Sequence, residues 1–153
     1  MIQWPHLRLA EIYLSYAEAL NELGKANVKD ELGMDAFDYI DVVRNRVGLG
    51  DLDKNMGKEE LREVILRERA CEFVWEEVRF FDLIRWKRED IFSKRLHGLK
   101  VFKHKTTAKY KFAEFLLPQR AWQKEFSPKN YLSAFPSDEI NKGYGLIQNP
   151  GWE

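Results

Sequence analysis

The residues best equipped for chemistry crowd one stretch, Glu68 to Arg85, where Glu68, Glu72, Glu76, Glu77 and Asp82 alternate with Arg69, Arg79 and Arg85. Two carboxylates act as general acid and base when they converge on a pocket that pushes their pKa values apart. Here acid and base recur at helical neighbour spacing, as in Glu63 to Arg67, Arg69 to Glu72, Arg79 to Asp82 and Asp82 to Arg85, so each carboxylate has an arginine to neutralise it. Planar guanidinium pairing of that kind suits a partly buried brace between helices. Arg46, Glu68, Arg69, Glu72, Glu76, Arg79, Asp82, Arg85 and Trp86 are therefore assigned to architecture, and no residue is assigned to catalysis.

Other chemistries find less support. His6, His97 and His104 share no metal-type spacing, and the single cysteine offers no paired thiolate, so neither a metal nor a cofactor is expected. Cys71 reads as a buried bystander within a helix. No glycine-rich phosphate loop and no nucleophile elbow occurs, and Gly143-Tyr144-Gly145 reads as a turn. Aromatic residues make up 14% of the chain, and exposed rings are what sugar-binding proteins use, because the apolar face of a pyranose packs on a flat ring. Tyr13, Tyr16, Phe37, Trp75 and Phe81 fall on helical core stripes. Trp4, Tyr110, Trp122, Phe126, Tyr131 and Trp152 are left unassigned. Trp122, flanked by Arg120, Gln123 and Lys124 in the least regular stretch, is the candidate ligand contact.

The elements that must position these residues are mostly helices. Leu9, Ile12, Tyr13, Tyr16, Ala17, Leu20 and Leu23 recur as an amphipathic stripe, with Pro5 suited to the first turn and Gly24 to the close. A second stripe, Met34, Phe37, Ile40, Val43 and Val47, stops at Gly48 and places Asp35, Asp38 and Asp41 outside it. The two predict an antiparallel hairpin close to a tetratricopeptide (TPR) pair, with Ala17 and Ala36 permitting close approach. One such pair cannot bury both its faces. Lys58 to about Lys87 reads as helix, broken once near Glu76 to Arg79. Ser93 to Asn130 reads as loop with one or two short strands or turns. The Pro-, Gly- and Asn-rich end reads as extended chain that wraps over the helices. The expected fold is thus mainly α, with TPR-like antiparallel helix pairs over residues 1–90. An irregular, loop-rich C-terminal segment follows over 91–153, all within one domain.

A chain of 153 residues can bury roughly two thirds of its unfolded surface. Its 44% hydrophobic and 33% charged residues, with a mean hydropathy of −0.53, are those of a globular protein. Lys plus Arg (25) cancels Asp plus Glu (25), and neither end carries a long single-sign run, which argues against nucleic acid as a partner. The first residues lack the pattern of a secretory signal, and no apolar run approaches the ~20 residues of a membrane span.

Four segments, in order, resemble the C-terminal region of the SusD/RagB family. Arg8-Leu9-Ala10-Glu11-Ile12-Tyr13-Leu14-Ser15-Tyr16-Ala17-Glu18-Ala19-Leu20-Asn21 is similar to its "RLAEvyLxyAEAlN" helix, and Val43-Arg44-Asn45-Arg46-Val47-Gly48-Leu49 to its "VRxRAGL" helix end. The run from Glu68 to Trp86 resembles "ERxxELxxEGxRxxDLxRW". Phe135 to Asn141 and Gln148 to Trp152 resemble "IPxsEid" and "QNPGY". Glu77 stands where that family usually has Gly, Val47 where it has Ala, and Trp152 where it has Tyr.

The resemblance implies a helical, non-catalytic binding protein of the bacterial outer-membrane surface. Its lipid-anchored parent would capture oligosaccharides, or peptides in some members, and pass them to a SusC-type TonB-dependent transporter. The family's N-terminal region has no counterpart here, so the chain is expected to be a C-terminal fragment, with a bare face on its first hairpin that favours self-association. A free-standing TPR-like adaptor for protein partners is the alternative reading. A glycosidase is the least favoured.

Overall fold

The structure, a computed structural model, describes residues 7–107, 109–118 and 126–153. Among them it is mainly helical, with six α-helices and one two-stranded sheet. The chain divides into two compact units, Met1–Asp82 and Leu83–Glu153.

The first unit is built on three helices. Helix α1 spans Leu9–Glu22 and closes as its composition predicts. Gly24 takes a left-handed φ of 68°, its N–H donates to Asn21 O, and Lys25 N–H donates to Leu20 O at 2.8 Å, which satisfies carbonyls the helix end would leave bare. Helix α2 spans Ala36–Asn45 and opens on a reciprocal cap. Asp38 N–H donates to Asp35 Oδ1 and Asp35 N–H to Asp38 Oδ2, both at 3.0 Å. Gly48, at φ 78°, ends the turn that follows. Helix α3 spans Lys58–Glu72.

Helix α1 packs against both α2 and α3. The core is Leu14, Ala17 and Leu20 from α1, Phe37, Tyr39, Ile40 and Val43 from α2, Leu61 and Ile65 from α3, and Phe73 beyond it. Burying each large apolar side chain contributes about 1.5–3 kcal/mol. Ala17 and Ala36 are completely buried within this core. At the end of α1, buried Asn21 donates to Lys58 O at 3.0 Å, and Arg62 donates to both carboxylate oxygens of Glu22 at 2.7 Å.

The stripe on α1 is rotated from the expected one. Leu14 is fully buried, whereas Leu9, Ile12, Tyr16 and Leu23 are 39–69% exposed. This helix is apolar on two sides, and periodicity alone does not say which side meets its neighbours. Asp35, which caps α2, and Asp41 within it are buried rather than outside the stripe, and Val47 lies past the helix end and is exposed.

The break in the third predicted helix falls earlier than expected. After α3 a turn over residues 73–77 leads to helix α4, Val78–Arg85. Trp75 and Glu77 adopt positive φ values of 69° and 62°, which stops the helix and throws Trp75 into solvent at 88% exposure. Trp75 is therefore not a core residue. Neither is Phe81, at 63% exposure, and Cys71 is exposed rather than buried.

In the second unit, helix α5 (Glu89–Phe92) precedes strands β1 (His97–Lys103) and β2 (Tyr110–Leu116). They pair antiparallel with Val101 opposite Phe112, a longer ribbon than the short strands expected. Gly98 lies under the ring of its partner Phe115, where a Cβ would meet the ring at 2.5 Å. A 3-10 turn at Pro128–Tyr131 and helix α6 at Ser137–Ile140 complete the elements.

Candidate functional site

The arginine-carboxylate cluster centres on Arg8, the residue just before α1. Its guanidinium grips Glu76 with both arms, Nε to Oε2 at 3.1 Å and Nη2 to Oε1 at 2.7 Å. Nη1 donates to Glu72 Oε1 at 2.7 Å, and Nη2 also donates to the Glu72 carbonyl at 2.9 Å. The other oxygen of Glu72 accepts from Arg46 at 2.6 Å. The hydrogen bonds that Arg8 donates to Glu76 first and to Glu72 second hold it even more firmly protonated than a free arginine.

One layer further in, Arg69 Nε donates to Asp82 Oδ2 at 2.8 Å and its Nη1 to Ser15 Oγ at 3.0 Å. Both members of that ion pair are nearly inaccessible, at 5% and 2% side-chain exposure. The ring of buried Phe73 faces two cations, with Arg8 5.1 Å and Arg69 5.4 Å from its centroid. Arg44 pairs with Glu68 and donates to Gly50 O at 3.0 Å, while Arg79 donates to Leu66 O at 3.2 Å. The Arg85 guanidinium lies 5.4 Å from the Trp86 ring.

Thus Arg46, Glu68, Arg69, Glu72, Glu76, Arg79 and Asp82 all contact residues well removed in sequence, rather than only the helical neighbours that spacing suggests. Arg8 is the member that sequence reasoning missed. It precedes its helix by one residue, so no periodicity marks it.

An open depression of ≈ 570 Å³ borders this cluster, lined by Arg8, Arg46, Val47, Cys71, Glu72, Val74 and Glu76. Glu72 and Glu76 each have a guanidinium within hydrogen-bond distance. An acid–base pair needs one carboxyl free to hold a proton, and this arrangement instead balances charge. Among the described residues, no group of three or more His, Cys, Asp or Glu is placed to hold a metal ion.

The second unit has its own depression of ≈ 780 Å³, bordered by Lys87, Glu89, Lys129, Tyr131, Leu132 and Pro150. Burial, with Glu89 nearby, pushes the Tyr131 hydroxyl above its ordinary pKa. Trp152 is an anchor there. Its indole N–H is shared between Lys129 O (3.0 Å) and Leu132 O (2.9 Å), and Lys129 Nζ lies 4.6 Å from the ring centroid. Phe126 stacks on Phe92 at 4.3 Å and meets Tyr131 edge-on. Gln148 clamps the backbone of Phe135, accepting from its N–H at 2.8 Å and donating to its carbonyl at 3.0 Å. Asn149 donates to Ser133 O at 2.6 Å. Of the unassigned aromatics Tyr110 is exposed, and Trp122, the expected ligand contact, lies outside the described residues.

Comparison with known proteins bears directly on these motifs. "SusD-like protein P25" of Formosa agariphila is 41% identical over 83 residues, 52% of this chain, and "SusD-like protein P2" of the same organism is 32% identical over 88 residues, 53% of this chain. The matches cover 14% and 16% of those relatives, so the chain spans only a small part of the length of the curated proteins it matches. No solved structure matches it. Residues 1–152, nearly the whole chain, fit the pattern of the SusD family, which includes RagB, and the protein belongs to that family.

Proposed function

We propose that this chain is part of a cell-surface protein that captures oligosaccharides and passes them to a TonB-dependent transporter of the SusC type. The observation that carries the reading is the family match over residues 1–152; the SusD/RagB family is one of binding proteins, not of enzymes, and is associated with glycan binding at the outer-membrane surface. No helix among the described residues is long and apolar enough to cross a membrane. A lipid anchor on the parent protein is the mode of surface attachment that the family resemblance implies. The chain serves as the C-terminal part of that parent, and its cation-paired carboxylates, with Trp86, act as scaffolding rather than as a reaction centre. Trp122 is the ligand contact carried forward from the sequence.

Calorimetry and a glycan array on the full-length parent test this reading. Saturable binding of at least one oligosaccharide class, without hydrolysis, is expected. Hydrolysis of a chromogenic glycoside, or failure with every glycan and peptide class, overturns it. The transporter assignment is checked by co-purification of the parent with a SusC-type transporter from the same organism, and failure to co-purify counts against it.

The adaptor reading draws on one observation, the exposed stripe Leu9, Ile12, Tyr16 and Leu23 along α1. In the capture reading the same stripe drives self-association of the isolated chain. Light scattering should show concentration-dependent mass that Ile12→Glu abolishes.

A further inference from the structure

Overall neutrality conceals a sharp segregation of charge. Between Ser93 and Ala113 lie Lys94, Arg95, Lys100, Lys103, Lys105, Lys109 and Lys111, with no Asp or Glu among them. The rest of the chain holds 18 Lys and Arg against 25 Asp and Glu. Most of this stretch folds into the β1–β2 ribbon, so residues 97–116 carry five lysines against one carboxylate, Glu114 opposite Leu99, in a chain that is otherwise acidic. Such concentration raises the local density of anionic partners and speeds their capture.

The ribbon also carries rings. The register pairs Lys103 with Tyr110 and Val101 with Phe112, which places Tyr110 and Phe112 on one face with Leu99 and Val101. All four are more than half exposed. Towards the turn lies a depression of ≈ 370 Å³ bordered by Lys103, His104, Thr107, Lys109 and Tyr110, and by Phe102 and Lys111, which the register assigns to the other face of the ribbon. Lys103 Nζ stands 5.9 Å from the Tyr110 centroid. No carboxylate lines this hollow, and its size falls in the ~300–1,000 Å³ range of small-ligand sites.

We infer that the ribbon binds an acidic polysaccharide, one carboxylated or sulfated sugar unit resting on Tyr110 with its anion between Lys103 and Lys109, and with Lys111 adding positive charge from the other face of the ribbon. The inference rests on the capture reading and names its ligand class. A flat ring beside several cations suits a sugar that has both an apolar face and a negative group. A membrane-inserting hairpin would lead with an apolar tip, whereas this turn leads with Lys103, Lys105 and Lys109. Single-stranded nucleic acid calls for stacking platforms in series, and this hollow is sized for one unit.

The experiment is affinity electrophoresis and calorimetry of the 153-residue chain with polygalacturonate, chondroitin sulfate and neutral dextran, alongside phosphatidylglycerol vesicles and single-stranded DNA. Binding to at least one of the two acidic polymers and not to dextran is expected. Lys103→Ala/Lys109→Ala/Lys111→Ala should weaken it at least about tenfold and flatten its salt dependence. Tyr110→Ala should weaken binding with the charge unchanged. These positions are exposed, so circular dichroism should show both variants folded. The inference is overturned by equal binding to dextran, by an unaffected triple variant, by tighter binding to vesicles or DNA, or by no binding to either acidic polymer. Neutral oligosaccharides that bind the parent independently of the triple variant would sink this inference alone and leave the capture reading standing.

Discussion

The two units of the chain hold themselves together by different means. Up to Asp82 the described residues form a continuous core from three helices, and the charged residues around it reach across the fold. Beyond Asp82 the buried hydrophobics among the described residues are Leu83 and Phe92, and order comes from a ribbon and from side chains that grip nearby backbone. The first unit is therefore sensitive to what is removed from its interior. The second is sensitive to what its backbone can no longer reach, and its surface is free to vary.

The sharpest test of that contrast is Asp82→Ala. It removes the carboxylate beside Arg69 and leaves a guanidinium at 5% exposure with the Ser15 hydroxyl and the Phe73 ring, neither of which carries a balancing charge. Breaking a buried pair by deleting one member costs about 3–5 kcal/mol, because the surviving charge stays desolvated. Urea unfolding followed by far-ultraviolet dichroism should show that loss. Phe112→Ala, on the exposed ribbon, should change stability by less than about 0.5 kcal/mol. A loss below about 1 kcal/mol for Asp82→Ala would mean the pair does not brace the helices.

Next in size is Leu14→Ala, which empties a fully buried site on α1 and should cost about 3 kcal/mol. Leu9→Ala, at 63% exposure on the same helix, should cost less than about 0.5 kcal/mol in a monomeric sample. Equal costs would restore the stripe that periodicity alone suggests.

That pair also marks the limit of what could be read from residues. The helices of the first unit, the closing role of Gly24 and the placement of Ala17 and Ala36 in the interior follow from period and residue size. Which apolar side of α1 faces inward did not, because Leu14 and Leu9 are equally good at being buried. The acid–arginine run was legible as a charge-balanced set, yet its pairings were not. Spacing along a helix offers Glu72 to Arg69, whereas the fold brings Arg8 and Arg46 to Glu72 from far away in sequence. The ribbon was legible only as one or two short strands, because its strands are largely exposed on both faces and so lack the alternation that marks a half-buried strand.

In the second unit, Gln148→Ala removes both hydrogen bonds that clamp Phe135. The expected cost is about 1–2 kcal/mol, read locally as faster hydrogen exchange at the Phe135 amide. A global loss of helix signal would contradict a locally held tail. Glu77→Gly should act in the opposite direction. Glu77 sits at φ 62°, where a side chain is strained and glycine is not, which also explains why the family usually places glycine there. A gain of about 1 kcal/mol in thermal or urea unfolding is expected. No gain would mean that contacts of the glutamate offset the strain.

The smallest effect concerns pH and separates two kinds of carboxylate within the first unit. Glu22, hydrogen-bonded to Arg62, and Asp38, hydrogen-bonded to Lys54, have lowered pKa values, so their contribution is present above the ordinary carboxylate range and lost as pH falls through their folded values. Asp41 runs the other way. Burial raises its pKa above the unfolded value, so its contribution is complete below that value and is lost as pH rises through the folded one. Asp41→Asn keeps an oxygen to accept the Leu52 N–H, now held at 3.0 Å, and carries no charge to desolvate. The variant should therefore be more stable than the parent at pH 7, and the advantage should fade as pH falls to 3. An advantage that persists unchanged at pH 3 would show that burial of the charge is not its source.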